Sequence, residues 1–582
     1  MPTPRTSLTH PLRIDSVPAA RGRIGLTFCP GKCQLHAATG AWERDLGLDL
    51  DAIADWGAAA LVTLVEDGEL RELQVPRDAL AEGAARRHVA WLHLPIADAG
   101  VPDAAFERRW ERAGMWLREL LRRGRGVVVH CKGGLGRTGM IAARLLVELG
   151  EAPEEAIARV RRARPNAIET REQEEHVRRC HAVAVPEYPA RVRGCLLGGA
   201  MGDALGAGVE LDSLAEIRRR FGPRGAVGYV GAYGRPVAIT DDTQMTLFTA
   251  EGLIRAAVRG RVGGGRGLGV VDAVGMVWHA YDRWLLTQGE ALEPLAARWR
   301  ARGAAQTGAA PTGAAQAQGE WAWPDGWLVA EPRLHDARGP GNTCLAALRG
   351  GRMGTREEPI NDSKGCGGVM RAAPAGLLRR PAGEAFALGA DLAAITHGHP
   401  SGYLAAGCLA AMVARLVDGA SLGEAVATAR RELAGQEGAA EVEGRLDAAV
   451  AAARRAAEED APSPEAIESL GAGWVGEEAL AIAVYCALVG ERWGEQAGED
   501  GAASAVRPAL LLAVNHSGDS DSTGAITGNL LGARFGVEAL PAGLLEELEL
   551  RDVIERMADD LVREVLGLAA GDAGWSERYP GW

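Results

Sequence analysis

Four features are missing from this sequence, and each absence narrows what the chain can be. The N-terminal stretch "MPTPRTSLTHPLRIDSV" has no apolar core, so it does not match a secretory leader. No run of about 18 apolar residues stands out as a membrane span. There is no basic excess: 64 Lys and Arg against 77 Asp and Glu leave a net charge of −13, so a general electrostatic footprint for nucleic acid is not expected. There is no paired cysteine framework either; nine cysteines, an odd number, are scattered along the chain, which suits a reducing compartment. These absences lead to the expectation of a cytoplasmic protein without a membrane partner. The Ala/Gly/Arg bias reads as that of a GC-rich, bacterial genome.

At 582 residues a single core is not expected, and the length implies several domains. The break is placed near "HAVAVPEYPARVRG", where Pro186 and Pro189 interrupt the helical pattern. Before it, "AALVTLV", "HVAWLHLPI" and "GVVVHC" read as buried strands between amphipathic helices, hence an α/β domain. After it, Ala- and Leu-rich helical runs such as "SGYLAAGCLAAMVARLV" dominate, so the second part is expected to be mostly α. The expected layout is a flexible segment 1–19, a first domain 20–186, a linker 187–191 and a second domain 192–582. An irregular Gly/Ala-rich insertion is expected at about 258–340.

The stretch from His130 to Gly139, "HCKGGLGRTG", joins an apolar strand to a helical pattern. A glycine-rich loop opening a helix turns backbone N–H groups toward one point, where the helix dipole adds positive charge. Lys132, Gly133, Gly134, Leu135 and Gly136 form that cradle, and Arg137 can fork onto two phosphate oxygens. The same field favours the thiolate of Cys131, the nucleophile of a phosphoryl transfer. Thr138 is placed to hydrogen-bond the sulfur. A general acid must protonate the leaving oxygen, and Asp98 and Asp103 in "WLHLPIADAGVPD" are both candidates. Cys29 and Cys33 in "FCPGKC" are the one close cysteine pair; a turn with two incidental thiols is favoured over a metal or redox pair.

Together with "RIGLTFCPGKC" and "AIETREQEEHV", these pieces resemble the cysteine-dependent tyrosine/dual-specificity phosphatases of the cyclin-dependent kinase inhibitor 3 type, over residues 20–185. The resemblance implies an α/β phosphatase fold without a cofactor. It implies Asp98 as the acid and Gln173 as the residue placing the hydrolytic water.

The second part carries two acidic clusters. Thr240, Asp241 and Asp242 lie in "ITDDTQMT", and Asp519, Asp521 and Ser522 lie in "NHSGDSDSTG". Residues two apart do not share a helical face, so these carboxylates must project from irregular backbone at a helix start. Adjacent carboxylates repel unless a cation lies between them. Carboxylate and hydroxyl oxygens are hard ligands suited to Mg²⁺ or Mn²⁺, and the set suffices for two ions. Helix capping is the competing reading.

With "RVRGCLLGGAMGDALGAGVE", "GPGNTCLAAL", "NDSKGCGGVMRAAP" and "THGHPSGY", this part resembles the ADP-ribosylglycohydrolase family over about 190–582. The resemblance implies an all-α fold with a dinuclear metal centre held by those six residues. It implies Glu210 as the carboxylate near the scissile bond, and Gly365, Gly367 and Gly368 as the pyrophosphate loop. His397 and Tyr403 would line the ADP-ribose cleft, and Asp203 is either a supporting residue or a cap. The implied partners are an ADP-ribosylated protein or small molecule, with arginine as the default acceptor, and a phosphorylated protein or metabolite. The two activities are expected to erase two modifications independently. The alternatives are action in sequence on one phosphorylated ADP-ribose compound or nucleic-acid end, or one domain serving as a binding module.

Overall fold

The computed structural model describes residues 4–37, 40–262, 270–307, 323–459, 462–498, 501–569, 572 and 574–580. The chain divides into two compact units, Met1–Pro189 with Val562–Ser576, and Ala190–Leu561 with Glu577–Trp582.

The first unit is built on a five-stranded sheet. Its strands are β1 (Asp15–Ala19), β2 (Gly22–Phe28), β5 (Ala58–Thr63), β6 (Ala90–His93) and β7 (Gly126–Cys131), in the order β1-β2-β7-β5-β6. A hairpin of β3 (Cys33–Ala37) and β4 (Gly40–Glu43) stands apart. All contacts among β2, β7, β5 and β6 are parallel, and only β1 is antiparallel. A mostly parallel sheet is covered on its faces by helices, and every residue of "GVVVHC" in central β7 is buried. That run lacks polar alternation because both of its faces lie inside. Helix Ala104–Arg122 covers the sheet with Phe106, Trp110, Ala113, Leu117 and Leu121, spaced three or four apart as an amphipathic helix requires. Glu148 collects Trp110 Nε1 and Arg144 Nε, each at 2.8 Å, and Arg118, tying two helices together.

The segment expected to be flexible, 1–19, instead supplies edge strand β1, and Ser7 Oγ donates to Asp49 Oδ1 at 2.8 Å. Apolar Val17 and Ala19 are buried there, which outweighs the polar composition before them.

The second unit is helical, and its described residues form only isolated β-bridges. Its first helix, Tyr188–Gly206, begins within the expected linker. It packs against helix Ser520–Phe535 through facing glycines. A Cβ on Gly194, Gly198 or Gly202 would lie 2.3, 2.4 or 1.9 Å from the carbonyl oxygen of Gly532, Gly528 or Gly524. Only hydrogen side chains permit that approach, and the four-residue spacing keeps all the contacts on one face. The glycine-rich "GCLLGGAMGDALG" and "GAITGNLLG" are thus two halves of one interface. The expected irregular insertion contains helices Val270–Thr287 and Leu292–Thr307. The former buries Val277, Ala280, Tyr281, Trp284 and Leu285, a helical stripe obscured in the sequence by the Gly/Ala-rich tracts beside it. Most of those tracts, 263–269 and 308–322, lie outside the described residues. Helix Pro400–Val417 is long and apolar enough to cross a membrane by length and composition, and 83% of it is buried inside the protein.

Two candidate active sites

The register pairs Phe28 with Cys131, and Thr63 with His130. Cys131 therefore lies at the carboxyl end of the central strand, where open α/β sheets place their ligands. The loop after it opens helix Gly136–Glu148, all thirteen residues of which are buried. Gly134 N donates to Cys131 Sγ at 3.2 Å. Gly134 has φ +73°, and a Cβ there would lie 2.4 Å from Thr27 O, so this turn admits only glycine. Outside the loop, Arg164 Nη2 donates to Gly133 O at 3.3 Å, and Gly136 N donates to Glu169 Oε2 at 2.8 Å. Lys132 points its ammonium toward Glu72 at 3.5 Å. The carbonyl of Leu135 starts the helix by accepting from Gly139 N at 2.8 Å.

Arg137 is 2% exposed. Its guanidinium forks onto Glu69 at 2.6 and 2.9 Å, and also reaches Ile96 O at 2.8 Å and Asp98 Oδ1 at 2.9 Å. Burial works against the charge on Arg137, but the bonds to Glu69 outweigh it and raise its pKa. Nothing in the sequence singled out Glu69, because "EDGELRE" reads as an ordinary capping pattern, and Glu69 does accept from Glu66 N at 3.1 Å.

The two acid candidates separate cleanly. Asp103 caps helix Ala104–Arg122, accepting from Phe106 N at 2.7 Å. Asp98, its side chain 68% exposed, faces Arg137. Gln173 is fully buried; it donates to Gly100 O at 3.2 Å and accepts from Glu169 N at 3.0 Å, joining the Asp98 loop to the segment behind the cradle. Thr138 Oγ1 does not bond the sulfur as expected; it is buried without a hydrogen-bond partner. His130 Nε2 lies 2.8 Å from Thr63 Oγ1, and burial pushes its pKa down to about 3, so the ring is neutral. Cys29 and Cys33 are free thiols facing backbone carbonyls of Pro30 and Gly31 at 3.7 and 3.8 Å.

In the second unit, the glycine interface sets Asp203 beside the start of helix Asp241–Val262. Its carboxylate accepts from Thr240 N at 3.0 Å and Thr243 N at 3.2 Å, and from the Thr243 hydroxyl. Asp203 is thus a cap supplied by a neighbouring helix, and it fixes the segment that carries Asp241 and Asp242. Thr240 Oγ1 accepts from Asp242 N at 3.2 Å. Asp519 accepts from Ser522 N at 3.2 Å, so it too caps a helix. Capping and ligation are not exclusive, since each carboxylate has a second oxygen.

A cavity of about 200 Å³ brings together Glu210, Asp241, Asp242, Asp519, Asp521 and Ser522. Gly365, Gly367 and His397 line the same cavity. Burial, and then the charge of Asp521, raises Asp203 to about 7 and Glu210 to about 8. The same two causes push Asp241, Asp242 and Asp519 well above the usual carboxylate range. Asp242 Oδ2 is buried with no hydrogen-bond partner. Among the described residues, no three His, Cys, Asp or Glu side chains stand close enough to form a metal-ligand set by themselves. The donor chemistry nonetheless fits a hard divalent cation, because an unpartnered buried carboxylate oxygen among like charges must either take up a proton, as the raised pKa values show, or meet a positive partner.

Thr240, Gly368 and Tyr403 are not among the residues lining the cavity. Gly368 packs behind it, where a Cβ would lie 2.9 Å from Ala393 Cβ. Cys366 and Trp474 are among the lining residues that were not singled out from the sequence. Cys366 donates its thiol to Asp519 Oδ2 at 2.7 Å. Trp474, 44% exposed, stands at the cavity, and its carbonyl accepts from Cys366 N at 3.1 Å. A lone tryptophan between glycines in "GAGWVG" was the available signal.

Comparison with known proteins gives a match for each unit. The ADP-ribosylglycohydrolase family model matches residues 184–571. A model described as "Polymorphic toxin system, DSP-PTPase phosphatase" matches residues 43–151. Cyclin-dependent kinase inhibitor 3 of Rattus norvegicus is 30% identical over 167 residues, 28% of this chain and 74% of the relative. ADP-ribosyl-[dinitrogen reductase] glycohydrolase of Rhodospirillum rubrum is 26% identical over 393 residues, 66% of this chain and 99% of the relative. A crystal structure of kinase associated phosphatase, with its catalytic-site cysteine replaced by serine, aligns with 30% of this chain and 94% of its own at 27% identity, with a TM-score of 0.25. The chain belongs to the ADP-ribosylglycohydrolase family and carries, ahead of that domain, a phosphatase domain of the dual-specificity/tyrosine type.

Proposed function

We propose that the chain is a bifunctional hydrolase that removes ADP-ribose from a modified acceptor, arginine by default, and hydrolyses a phosphomonoester at a separate site. Its domains on this reading are 20–186 and 192–582, and it works in the cytoplasm. The observation that carries the reading is the cavity walled by five carboxylates, with Asp242 Oδ2 left unpartnered. Thr240, Asp241, Asp242, Asp519, Asp521 and Ser522 would hold two divalent cations, Mg²⁺ or Mn²⁺. When bound, the cations supply charge neutralisation, polarisation of ribose hydroxyls and an activated water. Gly365 and Gly367 bring backbone close to a diphosphate, as glycine-rich anion sites do. Glu210 manages the proton at the bond from ribose to acceptor, which breaks through an oxocarbenium-like state.

At the other site, Cys131 attacks phosphorus while the loop N–H groups and Arg137 hold the phosphoryl oxygens. Glu69 fixes the guanidinium, and Asp98 protonates the departing oxygen. Gln173 then places the water that cleaves the phosphocysteine bond, which returns the thiolate and frees phosphate.

The test is release of ADP-ribose from an arginine-ADP-ribosylated protein, with Mg²⁺ and then with chelator, the product identified by chromatography. Metal-dependent release of intact ADP-ribose supports the reading. No release, from protein that still binds ADP-ribose, removes arginine as acceptor and favours a phosphorylated ADP-ribose compound handled by both sites in turn.

A further inference from the structure

Arg371 follows the glycine loop and is 1% exposed, yet among the described residues it has no carboxylate partner. A buried guanidinium without a counter-charge is costly. Its Nη1 lies 3.3 Å from both Met245 Sδ and Cys344 Sγ, its Nε is buried without a partner, and its guanidinium lies 4.5 Å from the centre of the Tyr281 ring. Its one strong bond runs from Nη2 to Thr396 Oγ1 at 2.6 Å. Thr396 Oγ1 lies in turn 2.8 Å from His397 Nδ1.

Donor and acceptor chemistry favours one direction for this chain over the alternative in which Thr396 Oγ1 accepts from both neighbours and donates to Cys344 Sγ. A guanidinium can only donate, so the threonine oxygen accepts from Arg371. The hydroxyl has a single proton to give. A thiol sulfur such as Cys344 is a weak acceptor, whereas an imidazole nitrogen is a strong one. The proton is therefore directed to His397 Nδ1, which leaves the ring proton on Nε2. His397 is 1% exposed, and burial, followed by the charge of Arg371, pushes its pKa down to about 3, so it remains neutral. Its Nε2 faces the glycine loop: a Cβ on Gly365 or Gly367 would lie 3.4 or 3.3 Å from it.

We propose that Arg371 is a positioning residue that acts through Thr396 to fix His397 as the Nε2–H tautomer, a single hydrogen-bond donor aimed at an anionic oxygen of the ligand held against Gly365 and Gly367. The ligand half of this inference rests on reading the cavity as the ADP-ribose site; the relay does not. The uncompensated charge explains the fixed direction, because a neutral side chain in place of Arg371 would leave the Thr396 hydroxyl free to turn.

The tautomer is measured on the full chain with ¹⁵N-labelled histidine, by long-range ¹H–¹⁵N correlation. His397→Gln identifies the His397 signals among those of the 12 histidines. The expected spectrum shows a pyrrole-type Nε2 and a pyridine-type Nδ1. Thr396→Val, which keeps the shape and removes the hydroxyl, should shift His397 to a mixture or to Nδ1–H. It should also weaken ADP-ribose binding about tenfold in calorimetry. Thr396→Ser should restore both, and the remaining histidine signals report whether each variant is folded. A wild-type His397 found as Nδ1–H or as imidazolium overturns the relay, as does a folded Thr396→Val variant with an unchanged tautomer. The Nε2–H tautomer in protein that does not bind ADP-ribose would uphold the relay and overturn the reading of the cavity.

Discussion

The two candidate sites handle charge in opposite ways. At the phosphatase site the buried cation, Arg137, is neutralised by the protein's own Glu69 and Asp98. At the glycohydrolase site, five carboxylates line one cavity with Asp203 close behind, and each of the other five is raised in pKa by the charge of Asp521. At the first site the buried charge is balanced within the fold. At the second the carboxylates crowd together, which raises their pKa values and suits the cavity to cations from outside. The same contrast appears in how the sites are assembled. One comes mainly from a single strand–loop–helix, whereas the other needs the segments around Asp241 and Asp521 brought together by a glycine interface.

The sharpest way to break the comparison is to remove one chemical group from each site. Cys131→Ser should reduce phosphomonoester hydrolysis by roughly 10⁴-fold or more and spare ADP-ribose release; Asp241→Ala should do the reverse. Assaying both variants on both substrates checks this, and loss of both activities in one variant would show coupled sites.

Removing a shared scaffold element comes next. Glu148→Ala removes one of two carboxylate partners from Arg118 and from Arg144, which keep Glu187 and Glu107, and should cost the first unit about 1–3 kcal/mol, read by denaturant unfolding. Gly202→Ala forces a Cβ to within 1.9 Å of Gly524 O. It should cost the second unit about 1–3 kcal/mol and lower metal affinity more than phosphatase activity.

Metal addition discriminates between the units directly. Saturating Mg²⁺ or Mn²⁺ at about 100 times its dissociation constant should stabilise the second unit by about 2.7 kcal/mol. The unfolding transition assigned to the first unit should not move, and calorimetry with and without chelator resolves the two.

The change with the smallest effect at neutral pH acts on acid stability. His130 is neutral when folded, with a pKa near 3, and becomes charged below about 6.5 when unfolded. The unfolded state then binds more protons, so stability falls as pH drops from about 6.5 toward 3. His130→Gln should flatten that part of the pH profile of the first transition.

The phosphatase loop was legible from the sequence because its chemistry is contiguous: Cys131, the glycines and Arg137 lie within one short loop, and backbone geometry alone makes them converge. The metal-ligand candidates were legible as two clusters, since hard oxygen donors crowded at a helix start repel one another unless a cation joins them. The strands of the phosphatase sheet were legible where burial on both faces gives unbroken apolar runs, as in "GVVVHC". Edge strand β1 was not legible, because its sequence "DSVPA" includes a proline and a charge that only an edge tolerates, and the helices of the supposed insertion were obscured by the tracts around them.

Other features were decided by tertiary structure alone. No local pattern distinguishes Asp98 from Asp103, because one becomes a helix cap only when helix Ala104–Arg122 starts behind it and the other meets Arg137 across the fold. Glu69 reaches Arg137 from 68 residues away. Arg371, Thr396 and His397 form a relay only because two segments pack side by side. Residue type fixes what a side chain can donate, accept or ligate, and the sequence determines that outright. Which partner receives it depends on distances of about 3 Å between parts of the chain far apart in sequence, and packing alone sets those.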